Sequence, residues 1–86
     1  MHALVVEVEI QDDAEARKGL EDVVATVKQA PGFVAGYWIR RAGGLGTSVV
    51  VFETEEQAHA AKPPADGFAP GVEMTSVSFG EVLASA

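Results

Sequence analysis

Pro31-Gly32 constrains this chain more than any other pair of residues. Proline has no N–H and cannot continue a helix, and glycine takes the left-handed turn that follows one, so a helix must end here. The next residues, Phe33-Val34-Ala35-Gly36-Tyr37-Trp38-Ile39-Arg40, are rich in β-branched and aromatic side chains, which suit a pleated, half-buried surface. A helix therefore hands its chain directly to a strand. The same stretch carries the only Tyr and the only Trp, followed by Arg40 and Arg41, which makes it the candidate wall of a pocket.

The segments around that junction fall into place by periodicity. Residues 3–10 alternate, with Leu4, Val6, Val8 and Ile10 on one face and Val5, Glu7 and Glu9 on the other, the period of a strand. Asp12 offers a side-chain cap with Glu15 in the capping-box position, and Ala16, Leu20, Val23, Val24 and Val27 follow at helical spacing. Gly19 weakens that helix by roughly 1 kcal/mol relative to Ala, too little to break it, and the helix ends by Ala30. A second strand, residues 33–41, places Phe33, Ala35, Tyr37 and Ile39 on one face and Val34, Gly36, Trp38 and Arg40 on the other. Residues 42–46 form a Gly-rich connection of hairpin length. Residues 47–53 read as a third strand, apolar on both faces through Val49-Val50-Val51-Phe52. Thr54, with Gln57 in the capping-box position and Glu55 and Glu56 in the first turn, opens a short helix that Pro63-Pro64 ends. Residues 65–71 are a Gly- and Pro-rich loop, and residues 72–83 a long last strand.

The order β-α-β-β-α-β predicts a single α+β domain over residues 1–86, a ferredoxin-like four-stranded antiparallel sheet with both helices on one face. Two helices cannot cover both faces of such a sheet. Val5, the second side of residues 49–52 and one face of the last strand (Val77, Phe79 and Leu83, or Met74 and Val82) are left bare, and an apolar sheet face in water is an interaction surface. A domain of 86 residues also buries only about 60% of its unfolded-chain surface and usually needs extra support. With no cysteine there is no disulfide and no Cys-rich metal site, so a homodimer packed sheet against sheet is expected.

Charge narrows the partners. Thirteen acidic residues against six basic ones give −7, which excludes the basic footprint that nucleic acid or an anionic membrane surface requires. The apolar runs fall far short of the roughly 20 residues that span a bilayer. Met1-His2 leads into a strand pattern without a basic n-region, so a cytoplasmic location is expected.

The strand-first start, the helix ended by Pro31-Gly32-Phe33, the Tyr37-Trp38 strand, the run Val51-Phe52-Glu53-Thr54-Glu55-Glu56-Gln57-Ala58 opening the second helix and the terminal Phe79-Gly80-Glu81-Val82-Leu83 together resemble the antibiotic-biosynthesis-monooxygenase-like domains. The resemblance covers nearly the whole chain as a pattern of fold and turn positions. It implies a dimeric α+β barrel and, by way of activity, a cofactor-free monooxygenase acting on a phenol- or quinol-type aromatic. Members also include haem-degrading oxygenases, but the chain has no Asn, so the Asn-Trp-His pattern of that branch is missing. The alternative is a non-catalytic ligand-binding or accessory protein of the same fold.

Each candidate residue has a functional and a structural reading. Tyr37 and Trp38 alternate and cannot face one pocket together; each is either a core or interface aromatic or the wall of a cleft orienting an aromatic ring. His59, one turn after Glu55 and Glu56, is either a solvated helix residue or a proton acceptor, since histidine titrates near neutral pH. A lone Glu-x-x-His helix is too little for a di-metal site, which needs two, and no metal is expected. His2, at the chain start, reads as an edge residue. Glu7 and Glu9 need cationic partners, and Arg40 and Arg41 are the candidates, with substrate binding by Arg40 the competing reading. Phe68, in the Gly/Pro loop, could shield a cleft lined by the helix face from Leu20 through Val24 to Val27. The candidate catalytic set is thus His59, Tyr37 and Trp38; the candidate substrate-binding set is Phe68, Leu20, Val24 and Arg40. On this reading Trp38→Phe and His59→Ala both alter handling of an aromatic ligand.

Overall fold

Alternating burial in the first strand sets the architecture. In β1 (His2–Ile10), Leu4 and Val6 are buried while Glu9 is exposed, so one face of the strand belongs to the core. The computed structural model describes residues 1–63 and 71–86. After β1 come α1 (Asp13–Lys28), β2 (Phe33–Arg41), β3 (Leu45–Phe52), α2 (Glu55–Ala60) and β4 (Val72–Glu81). The four strands form one sheet in the order β2-β3-β1-β4 with every ladder antiparallel, an arrangement compatible with the ferredoxin-like fold.

Local chemistry explains the boundaries. The Asp12 side chain accepts from the Glu15 backbone N–H at 3.0 Å and caps α1. Thr54 and Gln57 form a complete capping box: Thr54 Oγ1 accepts from Gln57 N–H at 3.2 Å and Gln57 Oε1 accepts from Thr54 N–H at 3.1 Å. That reciprocal pair satisfies two of the donors a helix start leaves open, and it is what holds a helix of only six residues. The hairpin between β2 and β3 is tighter than the sequence predicts. β3 begins at Leu45 rather than at residue 47, because Gly43 and Gly44 take positive φ and reverse the chain at once. At the other end β4 stops at Glu81, leaving Leu83 outside the strand and exposed.

Two irregularities in the ladders redistribute side chains between faces. The β2–β3 register shifts between Phe33 and Ala35, so Phe33 does not share a face with Tyr37 as strict alternation predicts. It turns instead to the helix side and meets Phe52 edge to face, ring centroids 6.4 Å apart. The β1–β4 register shifts between Glu7 and Val8: Val6 pairs with Val77 and Val8 with Met74, leaving Thr75 as the extra residue. The Thr75 hydroxyl donates to the Glu7 carbonyl at 3.0 Å. Met74, Val77 and Phe79 consequently all reach the core side, and the other face of β4 carries Ser76 and Ser78. The last strand therefore adds no large apolar side chain to the open face, contrary to the alternation-based expectation.

The core consists of Leu4, Val6, Val50, Phe52 and Ala58, with Val27, Ala30, Phe33 and Phe79 packed against it. Phe52 is fully buried, and burying a side chain of that size contributes about 1.5–3 kcal/mol. On the opposite face Tyr37 and Ile39 are 64% and 49% exposed. They pair with Val49 and Thr47 of β3, Val49 in turn pairs with Val5, and Arg41 reaches Glu7 at 3.5 Å. The expected ion pair is thus made by Arg41; Arg40 points to the helix side.

A cleft under the first helix as candidate functional site

The apolar stripe of α1 lies over the sheet without closing on it. None of its residues is buried, although it is 16 residues long. Its C-terminal end is seated, with Val27 and Ala30 against the core. Its N-terminal half stands above β1, and the space between is a cavity of about 360 Å³. Val6, Val8 and Ile10 form the floor, Trp38 the side wall, and Ala16, Leu20 and Val23 the roof. This lining is almost wholly apolar, and Ser48, 8% exposed, is the one buried polar residue among those described.

Two local contacts hold the start of the helix in that raised position, and a glycine makes room for the side wall. Gly71, at φ +74°, accepts through its carbonyl from the backbone N–H groups of Gln11 and Asp12 at 2.8 and 3.1 Å, tying the start of β4 to the turn before α1. A Cβ there would come within 2.7 Å of the Asp12 carbonyl oxygen, so the approach requires glycine. Asp13, the first helical residue, then bridges two guanidiniums at the mouth of the cleft. Its Oδ1 lies 2.9 Å from Arg40 Nη1 on β2, and its Oδ2 lies 3.2 Å from Arg17 Nε one turn along the helix. Beneath the side wall, Gly36 leaves room for the Trp38 indole; a Cβ at 36 would sit 2.7 Å from its Cη2.

Three of the residues proposed from sequence meet here: Trp38, Leu20 and Arg40 all line the cleft. Trp38 is the member of the Tyr37/Trp38 pair that faces it, while Tyr37 projects from the opposite face of the sheet. Val24 lies at the edge of the helix stripe, on a shallow surface with Arg17, Glu21 and Lys28. His59 is outside the cleft lining and stacks on Phe79, ring centroids 3.9 Å apart and planes 17° apart. Its Nε2 is 3.9 Å from Glu55 Oε1, while His2 Nε2 approaches Glu55 Oε2 at 3.4 Å. Thus His59, Tyr37 and Trp38 occupy three separate places and do not converge. Phe68 and the remainder of the Gly/Pro loop through residue 70 lie outside the described residues.

Sequence reasoning missed Asp13, Arg17 and Ser48 as cleft residues. Signals for them existed: Asp13 and Arg17 are an i,i+4 ion pair, and Ser48 interrupts the apolar face of a Val-rich strand. Among the described residues no group of three or more His, Asp or Glu side chains is arranged to hold a metal ion, and none of the described helices is long and apolar enough to cross a membrane. No family model matches the chain, and neither a curated protein nor a solved structure matches it.

Proposed function

We propose that this domain binds a small, largely apolar ligand of aromatic-ring size in the cleft between α1 and the sheet. The observation that carries the reading is the apolar cavity of about 360 Å³, walled by the only Trp in the chain and left open by a helix that buries none of its residues. Ligand sites have this form: a concave, mainly hydrophobic surface with a few placed polar groups, here Ser48 inside and Asp13, Arg17 and Arg40 at the mouth. Calorimetry with 1-naphthol tests it. Saturable binding that Leu20→Asp removes and His59→Ala leaves intact is expected, since Leu20 roofs the cleft and His59 is outside its lining. Binding that survives Leu20→Asp would overturn the assignment.

The second reading is catalytic, in keeping with the resemblance to cofactor-free monooxygenases. Trp38 beside the buried Ser48 is the observation that favours it, because a phenol held there has an indole against its ring and a hydroxyl near its oxygen. In such a reaction the phenol supplies four electrons to O₂, one oxygen atom enters the ring as a quinone carbonyl and the other leaves as water. Oxygen uptake with 1-naphthol that depends on the protein and is lost in Trp38→Ala supports this reading; binding without uptake leaves the protein a ligand carrier.

The same proposal includes a homodimer through the open sheet face. Ala3, Val5, Ala35, Tyr37, Ile39, Val49 and Val51 form an apolar field there, with the Glu7–Arg41 ion pair at its edge. A second copy of the same face fits that pattern and keeps the helix side free for ligand. Sedimentation should give twice the 9.0 kDa chain mass, and Tyr37→Asp should give the monomer. A monomeric parent protein at micromolar concentration would exclude it.

A further inference from the structure

We infer that the ligand of this cleft is an apolar acid, an aromatic or alicyclic body carrying one carboxylate, with Arg40 and Arg17 receiving the anionic head. The inference rests on the ligand-binding reading of the cleft and names the chemistry of what enters it. Three ionisable residues line the cleft, Asp13, Arg17 and Arg40, and together they carry one net positive charge. That local sign runs against a chain whose net charge is −7 and which has only six basic residues in all. Asp13 contacts one nitrogen of each guanidinium, at 3.2 and 2.9 Å. An arginine offers five N–H donors, so one carboxylate leaves donors on both side chains for a second anion.

The two ends of the cleft separate the parts of such a ligand. The interior, bounded by Val6, Val8, Leu20, Val23 and Trp38, cannot take an unpaired charge without a large desolvation cost. The carboxylate therefore stays at the mouth, where both guanidiniums are solvent-accessible, with side chains 58% exposed for Arg40 and 72% for Arg17. An ammonium head meets like charge there, and a neutral alcohol forgoes the charge-assisted hydrogen bonds. Asp13 offsets part of the positive charge that the ligand's head meets, in addition to tethering α1.

Calorimetry with three matched probes, 1-naphthoate, 1-naphthalenemethanol and 1-naphthylmethylammonium, tests this. The naphthoate is expected to bind about tenfold more tightly than the alcohol, as a charge-assisted pair at a partly exposed site allows, and the ammonium most weakly. Arg17→Gln/Arg40→Gln should abolish the preference for naphthoate over the alcohol, a ratio that loss of the Asp13–Arg40 tether to α1 would not by itself change. Asp13→Asn should raise naphthoate affinity relative to the alcohol's, a change in the ratio that a loosened α1 would not produce. If the alcohol binds as tightly as the naphthoate, or if the double variant keeps the difference, the acid inference is overturned and the ligand-binding reading stands. If none of the three probes binds, both fail.

Discussion

The two helices lie on one face of one sheet and do opposite things there. α2 is six residues long, yet it holds a full capping box and buries Ala58 completely in the core. α1 is 16 residues long with a good apolar stripe, yet it buries no residue and roofs a cavity. Length and amphipathicity, which decide whether a helix forms, do not decide how closely it packs. The difference comes from what holds each end. α2 sits directly after Phe52, in the tightest part of the core, where a small residue such as Ala58 allows close approach. α1 is seated only at its Val27 end and is propped at its start by the Gly71 turn and the Asp13–Arg40 pair. One helix closes the core; the other leaves a cavity.

The largest expected effect breaks the sealed side. Phe52→Ala should cost about 3–5 kcal/mol, from lost burial plus the cavity it leaves, enough to unfold much of so small a domain in urea titration. Leu20→Ala, on the roof of the cleft, should cost only about 1 kcal/mol, within the ordinary range for a half-buried site. Equal losses for the two would mean that α1 is packed as tightly as the core. A loss between those two, about 1–2 kcal/mol, is expected for Gly32→Ala. Its φ of +79° penalises any Cβ, and that Cβ would run into Gln57 Oε1, forcing the capping-box side chain to move. Circular dichroism should then show α2 fraying together with the loss of stability.

Gly36→Ala sharpens the comparison from the cleft side. The new methyl would press on the Trp38 indole at 2.7–2.9 Å and push it toward the cavity. Trp38 fluorescence should shift and naphthoate binding weaken several-fold, with a far smaller stability change than Phe52→Ala gives. Unchanged fluorescence would show that the indole had another place to go. The subtlest effect is on exchange: amides of α1 should exchange through local openings well below the global unfolding free energy, while those of the β1–β3 ladder require global unfolding. Equal protection in α1 and β1 would contradict a raised helix.

Much of this fold was legible because it rests on local rules. Pro31-Gly32, the Asp12 cap, the Thr54–Gln57 box and the period-two pattern of β1 each act over four to ten residues and were readable in order. What escaped were features set by pairing across strands. Neither the shift at Phe33/Ala35 nor the extra Thr75 has a signature within its own strand, and both moved large apolar side chains to the core face. The candidate site was half legible. Trp38, Leu20 and Arg40 converge because alternation and helical spacing put them on facing surfaces, whereas His59 was attached to the cleft by its helix alone. That α1 would stand off the sheet depends on the Asp13 bridge and the Gly71 contact, which join residues 27 and 59 positions apart, and no pattern along the chain displays them.

The most direct measurement is a crystal structure of the protein with 1-naphthoate. The ring is expected between Leu20 and Val8 with Trp38 at its side, and the carboxylate within hydrogen-bond reach of Arg40. A ring bound on the open sheet face beside Tyr37, or a cleft closed by α1 settling onto β1, would contradict it.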